Sequence, residues 1–459
     1  MTAFLRFEQF WKLPHGLLQE RMLPDGEHLC KLVQAQKKDR AQSRVLVGEN
    51  SVFCAPNQST AHDATPLVEL CDLQSRAIVG AITKTRDGSL HLPFELDAAI
   101  EAFQLELYAQ SSGANHFLQT ARRIYYSLRP LIPRELQIAF RRSIVTLQET
   151  SRFPRWPLDT SLDELYRLVM RLILETSGLD SIPFIWFWPQ GYSHAVCLTH
   201  DVETQFGHDH LDPIINLESK YAVRSLWNFV PERYQVSRQL LNDLQAVGFE
   251  IGVHGLVHDG HLFDSYDIFT RRAEKINRYV REWKSVGFRA PSAIRNLKWI
   301  ARHLEVEYDT SCPTVEIYAP QPGGCCSVFP YLVDELVELP FTLPQDHTLF
   351  TILKQSDEHI WLEGASQIIA RNGLVNIIVH PDYTQSARDV ARYEKLVQFL
   401  QTSHTTWFAL PREVARWWKN RTQQQLVFEQ GKWHVVGPDA ERSRIAYVSL
   451  NDSNLTWHF

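Results

Sequence analysis

Between residues 194 and 410 the chain repeats one pattern, and that pattern limits the folds open to it. Short apolar runs (HAVCLTHD, SLWNFV, FEIGVHG, GFRAP, NIIVH and WFALP) alternate with amphipathic stretches such as SRQLLNDLQAVG, DIFTRRAEKINRYVREWKSVG and YEKLVQFLQTS. Runs of this length read as strands buried on both faces, and the longer stretches read as helices. Parallel strands cannot be joined by tight turns and need helical crossovers, so the alternation predicts a parallel sheet or an α/β barrel. In such sheets the loops after the strands build the site. The residues falling there are Asp201, His254, Arg289 and His380.

The rest of the chain has a different texture. Its 459 residues, 44% of them hydrophobic, exceed the size of one compact core and imply more than one unit. The first 90 or so residues mix β-like runs (SRVLVG, SVFCAP, RAIVGAIT) with polar turns. From Leu96 to Gly178 the pattern is helical. It ends in a segment where Ser161 and Glu164 suit a capping box, Leu162, Leu165, Leu168, Val169 and Leu172 form an apolar stripe, and Gly178 is a stop signal. PFIWFWPQGY reads as the entry to the next unit, and QLVFEQGKWHVVG with RIAYVSL reads as two or three antiparallel strands. The expected division is an N-terminal α+β region at 1–185, the barrel at 186–422 and a small β addition at 423–459.

Charged residues make up 22% and the net charge is −6, so no basic field favours nucleic acid or an anionic membrane. No segment reaches the ~18 apolar residues of a membrane span. The opening MTAFLRFEQFWKLPHGLLQERM lacks the apolar core and cleavage site of a secretory signal, so a cytoplasmic location is expected. Seven widely spaced cysteines (Cys30, Cys54, Cys71, Cys197, Cys312, Cys325 and Cys326) contain no C-x-x-C pair and read as reduced thiols. Vicinal Cys325 and Cys326, after Gly323 and Gly324, read as part of a turn rather than a redox switch.

Four short motifs carry the chemistry. THDVE offers Asp201 and Glu203 just after an apolar strand, where a carboxylate can bind a metal, act as a base or merely cap a turn. HGLVH places His254 and His258 four apart, and the two imidazoles would meet on one side if the segment coils into a helical turn, giving two metal ligands from one loop. In GFRAP, Arg289 could pair with a catalytic carboxylate and keep it ionised. In NIIVHPDY, His380 could protonate a leaving group.

In this order THDVE, HGLVH, RAP and IIVH resemble the four motifs of the polysaccharide deacetylases, carbohydrate esterase family 4, over about half of the chain. The resemblance is to an uncharacterised bacterial branch with a THDV-type first motif, further marked by YDTS at 308–311 and LPQDHT. It implies a distorted (β/α) barrel holding a divalent metal, most often Zn2+, and removal of an N-acetyl or related N-acyl group from a carbohydrate or glycan precursor by water activated on that metal. His254 and His258 transfer as ligands, Arg289 as the partner of the base, and His380 as the acid. The family's adjacent Asp-Asp pair is here Asp201, Val202, Glu203. Either Asp201 is the base and Glu203 the acidic ligand, or Asp201 itself binds the metal. A catalytically silent carbohydrate-binding or assembly protein is the alternative, since that departure touches the acid-base machinery.

Pro291, Tyr318 and Tyr331 are the candidate substrate contacts, with Trp188 and Trp227 also near strand or loop ends, because apolar sugar faces stack on rings; most aromatics in such a chain pack cores. The Pro- and Gly-rich loop 312–324 and LPFTLPQDHT are expected at the cleft rim, where Asp346 and His347 could reach the site or serve a turn.

Overall fold

The computed structural model describes residues 4–14, 17–18, 32–34, 43–47, 50–56, 64–73, 75–110 and 153–459. Cys30 and the part of the expected helical stretch at 111–152 lie outside the described residues. The chain divides into two compact units, one formed by Met1–Ser111, Thr160–Gly191 and Asn420–Phe459, the other by Ser112–Asp159 and Tyr192–Lys419. Among the described residues no helix is long and apolar enough to cross a membrane.

The first unit is α+β. A six-stranded sheet runs in the order Leu32–Gln34, Leu90–Leu92, Ile78–Lys84, Thr65–Asp72, Ser43–Val47 and Asn50–Cys54. The helix Ser161–Ser177 packs an apolar face that includes Leu162, Leu165, Leu168, Val169 and Leu172, as its spacing predicts. Its cap position is held by Thr160 instead of Ser161, without a side-chain cap hydrogen bond, so the expected capping box is replaced by a backbone start. Gly178 ends the helix at φ 74°. The tail forms four strands instead of two or three. Gln425–Glu429 and Lys432–Val436 make a hairpin, while Ile445–Asn451 pairs with Asn454–His458 on one edge and Ser181–Ile185 on the other. This second pairing gives the C-terminal strands backbone partners from the 160–191 segment, which is why they join its unit.

The second unit is the expected distorted (β/α) barrel. Its strands are β1 (His194–Val202), β2 (Leu226–Phe229), β3 (Glu250–His254), β4 (Gly287–Arg289), β5 (Tyr308–Asp309), β6 (Tyr331–Val333), β7 (Leu336–Glu338), β8 (Leu374–Val379) and β9 (Thr406–Phe408). The order is β6-β7-β5-β4-β3-β2-β1-β8, with β9 also pairing with β1, and every pair is parallel except β6 with β7. Between them run α1 (Gln205–His208), α2 (Asp212–Lys220), α3 (Arg238–Ala246), α4 (Tyr266–Trp283), α5 (Leu297–His303), α6 (His359–Ala370) and α7 (Ala387–Leu400). Ser237, Ser265, Asn296 and Ser386 cap α3, α4, α5 and α7 with their side chains, so each crossover begins at a defined residue.

β1 is the longest strand of this unit. β8 lines one edge of it, while β9 and β2 share the other edge, pairing at Thr406 to Phe408 and at Leu226 to Phe229. Between β5 and β8 the ring is closed by irregular chain. Leu339 N–H donates to the Asp309 carbonyl (2.9 Å) and Thr342 N–H to the Asn376 carbonyl (2.8 Å). The Asn376 amide donates to the carbonyls of Leu339 and Pro340 (3.2 and 3.1 Å), so a side chain does there what a ladder does elsewhere.

Candidate active site

Strand alternation builds the first part of the site. Residues two apart on β1 share a face, so Thr199 and Asp201 look inward while His200 between them looks outward. Asp201 Oδ1 accepts from the Arg289 guanidinium (3.1 Å) and from the Asn228 amide (2.9 Å). Arg289 is itself fixed by Thr199 Oγ1 (2.9 Å), the Thr310 carbonyl (2.9 Å) and Thr310 Oγ1 (3.0 Å). Burial by itself would raise the Asp201 pKa. The guanidinium, then His254 and His380, and the Asn228 hydrogen bond outweigh it and hold the carboxyl below its ordinary range. His200 instead joins a separate buried network, meeting Glu218 (2.8 Å) and the Val379 carbonyl (2.9 Å).

His254 is the last residue of β3, and His258 follows in a loop rather than in the helical turn considered from the sequence. The turn is made by two left-handed residues, Gly255 at φ 62° and His258 at φ 54°. A Cβ on Gly255 would lie 2.3 Å from Pro291 Cγ, so the RAP segment packs directly beneath this loop and requires glycine there. The result is two imidazoles with ring centroids 5.1 Å apart. One ligand atom each from Glu203, His254 and His258 lies within 4.8 Å of the others.

His254 Nδ1 donates to the Arg289 carbonyl (3.1 Å), which leaves Nε2 with its lone pair directed into the cluster. Burial lowers the His254 pKa to about 4, so the ring is neutral near pH 7. His254 Nε2 and His258 Nδ1 are buried without a hydrogen-bond partner. Orphaned buried nitrogens are costly unless a ligand satisfies them. The carboxylate and two imidazoles suit a divalent ion such as zinc. Glu203 Oε1 lies 3.0 Å from His258 Nε2, and Oε2 accepts from the Tyr383 hydroxyl (3.3 Å). Burial opposes its charge, but His258 above all, with His380 and His254, holds Glu203 well below the carboxylate range.

His380 follows β8 directly, and its Nδ1 donates to Asp346 Oδ1 (2.6 Å) while its backbone N–H donates to Asp346 Oδ2 (2.9 Å). Burial favours the neutral ring; Asp346, with Glu203 and Asp201, overcomes it and raises the pKa to about 10. The imidazolium presents Nε2 4.0 Å from Glu203 Oε1. Asp201, Glu203, His254, Arg289 and His380 therefore line one cavity, walled further by Ser292, Ser311, Phe341 and Gln345.

The four motifs meet in one pocket in the order their sequence implies. Residues 192–419 thus bring to one end of a distorted (β/α) barrel the residues whose motifs resemble those of the polysaccharide deacetylases. No family model and no curated protein matches the sequence. Solved structures similar in part to the chain include PuuE allantoinase, at 13% identity and TM-score 0.44, covering 50% of this chain and 92% of its own. A Mycobacterium smegmatis protein assigned to the polysaccharide deacetylases has 16% identity and TM-score 0.43, covering 53% of this chain and 96% of its own. A similarly assigned protein from Pseudomonas aeruginosa PAO1 has 13% identity and TM-score 0.42, covering 50% and 93%. Likenesses at TM-scores below 0.5 carry no residue roles into this chain.

Not every candidate reaches this cavity. Pro291 supports the HGLVH loop and borders a neighbouring cavity with His258. Tyr318 packs with Val315, Ile317 and Ile352 and meets Trp156 edge-on. Tyr331 is buried on β6, where burial, with Cys312 and Cys325 nearby, raises its pKa well above normal. None of the three lines the cavity. Trp188 and Trp227 are fully buried, and Cys325 and Cys326 are buried where Cys326 bends at φ 54°. Of the rim pair, Asp346 reaches the site through His380, while the His347 ring packs on Tyr383 (4.8 Å). Asn228, Asp382 and Tyr383 escaped sequence reasoning. The last two adjoin His380 in HPDY, the one signal that could have found them.

Proposed function

We propose that residues 192–419 are a metal-dependent hydrolase that removes an N-acetyl or related N-acyl group from a carbohydrate or glycan precursor. The observation that carries this reading is the convergence of Glu203, His254 and His258 within 4.8 Å, beside a carboxylate kept ionised by Arg289 and an imidazolium kept protonated by Asp346. Glu203, His254 and His258 would hold a divalent ion such as zinc, which would supply Lewis acidity toward the acyl carbonyl and the attacking water.

The residues divide the remaining work. Asp201 spends Oδ1 on Arg289 and Asn228, leaving Oδ2, 3.9 Å from His254 Nε2, as the base that takes a proton from the attacking water. The geometry thus favours Asp201 as base and Glu203 as ligand. The His380 imidazolium gives its Nε2 proton to the departing amine as the C–N bond breaks. Products are the carboxylic acid, which loses its proton to water, and the free amino sugar; the starting protonation states are restored by one proton leaving Asp201 and one returning to His380.

The test is elemental analysis of the wild type and of the His254→Ala/His258→Ala double variant, followed by assay on N-acetylated chito-oligosaccharides. About one zinc per chain, lost in the variant, with amine release by the wild type, is the expected result. No zinc in the wild type after reconstitution sinks the hydrolase reading. Zinc without turnover of any N-acylated glycan leaves the silent binding protein as the better description.

A further inference from the structure

Glu203 lies beyond the end of β1, in chain that no ladder holds, yet its carboxylate stands opposite two buried imidazoles. The HPDY segment after β8 grips it there at three points. The Asp382 carboxylate accepts the Glu203 backbone N–H through Oδ2 (2.8 Å) and the Thr204 hydroxyl through Oδ1. Tyr383 donates its hydroxyl to Glu203 Oε2 (3.3 Å). Thr204 in turn caps α1, accepting from Gly207 N–H (3.4 Å). Gly207 makes the grip possible, because a Cβ at that position would lie 2.3 Å from Asp382 Oδ2. Asp382 is largely buried, and both its oxygens are committed to the 203–204 segment.

We propose that Asp382 is a positioning residue for the metal site: it fixes the backbone of Glu203 so that this carboxylate, rather than a mobile one, completes the set with His254 and His258. The inference rests on the metal-binding reading above and adds to it a residue that touches no ion. Partners that orient a ligand typically contribute a 10- to 100-fold factor to metal affinity. The same grip explains why a D-x-E spacing can serve here, since the ligand carboxylate hangs on a tether anchored by the neighbouring strand rather than by its own.

The experiment is a zinc competition titration of the full chain against a chromophoric chelator, with the thermal midpoint of the metal-free protein measured alongside. Asp382→Ala is expected to weaken zinc binding about 10- to 100-fold. Asp382→Asn, which keeps an acceptor oxygen for the Glu203 N–H, is expected to recover part of that loss. Gly207→Ala removes no hydrogen-bonding group yet displaces the Asp382 carboxylate, and it should weaken binding in the same direction; it carries the prediction if Asp382→Ala does not fold. Wild-type affinity in Asp382→Ala or in folded Gly207→Ala overturns the proposal, as does an Asp382→Asn variant that loses as much as Asp382→Ala. A wild type that binds no zinc overturns the metal reading itself, a result distinguishable from the others because it precedes any substitution.

Discussion

Two groups of carboxyls in the barrel unit, all opposed by burial, have their pKa values moved in opposite directions. At the open edge, Asp201 and Glu203 are held below the usual carboxylate range although burial alone would raise them. On the flank, Asp309 of β5 and Glu338 of β7 stand opposite each other in register, both fully buried. Burial, and for Glu338 the neighbouring Asp309, raises both, with Glu338 pushed well above normal. Their second oxygens, Oδ2 and Oε2, have no hydrogen-bond partner, the arrangement expected of two carboxyls that must share a proton. Depth therefore does not decide the charge. Neighbouring groups do: Arg289 makes an ion pair with Asp201, and imidazoles face Glu203, whereas Asp309 and Glu338 mainly face each other. On the proposed reading the first pair does acid-base and ligand work, while the second shares a proton within the wall.

The largest test removes the cation that separates the two groups. Arg289→Met leaves Asp201 buried without its guanidinium, and breaking such a buried pair is expected to cost about 3–5 kcal/mol in thermal or denaturant unfolding. The acid limb of kcat/KM against pH should also move upward, as Asp201 comes to resemble Glu338. An unmoved limb would show that the neighbouring imidazoles of His254 and His380 keep Asp201 ionised without the guanidinium.

A smaller effect is expected at His380. Its folded pKa of about 10 exceeds the unfolded value near 6.5, so its pairing with Asp346 contributes stability that is full below pH ~6.5 and fades as pH rises through about 10. Asp346→Asn should remove that contribution and move the alkaline limb of kcat/KM to lower pH by one or more units. Full activity at alkaline pH in the variant would break the assignment of His380 as acid. The smallest effect belongs to the flank. Glu338→Gln replaces a carboxyl that is already protonated, so the unfolding free energy near pH 7 should change by less than about 1 kcal/mol. A loss as large as that of Arg289→Met would mean that Glu338 is ionised, and the contrast between the groups would collapse.

Much of this was legible in the sequence, for reasons that can be located. Strand-end placement of Asp201, His254, Arg289 and His380 follows from local periodicity, which needs no partner to be read. The histidine pair of HGLVH was visible, but its conformation was not. Its turn rests on Gly255 and His258 adopting positive φ over Pro291, a contact 36 residues away in the chain. Tyr318 and Tyr331 illustrate the opposite error, since ring type marks a residue as able to meet sugar and says nothing about which core it fills. Asn228 gave no signal because a buried asparagine on a strand looks like any polar interruption.

The sequence by itself determined the α/β barrel, the residue types of its edge and the family they resemble, because each depends on short-range pattern. Tertiary structure decided which carboxylate pairs with Arg289 and which joins the imidazoles. It also decided that Asp346 sits against His380 and raises its pKa, and that Asp382, beyond the neighbouring strand, accepts from the Glu203 backbone N–H. Those outcomes depend on distances between segments as much as 180 residues apart, and on a balance of burial against neighbouring charge that exists only once the strands are side by side.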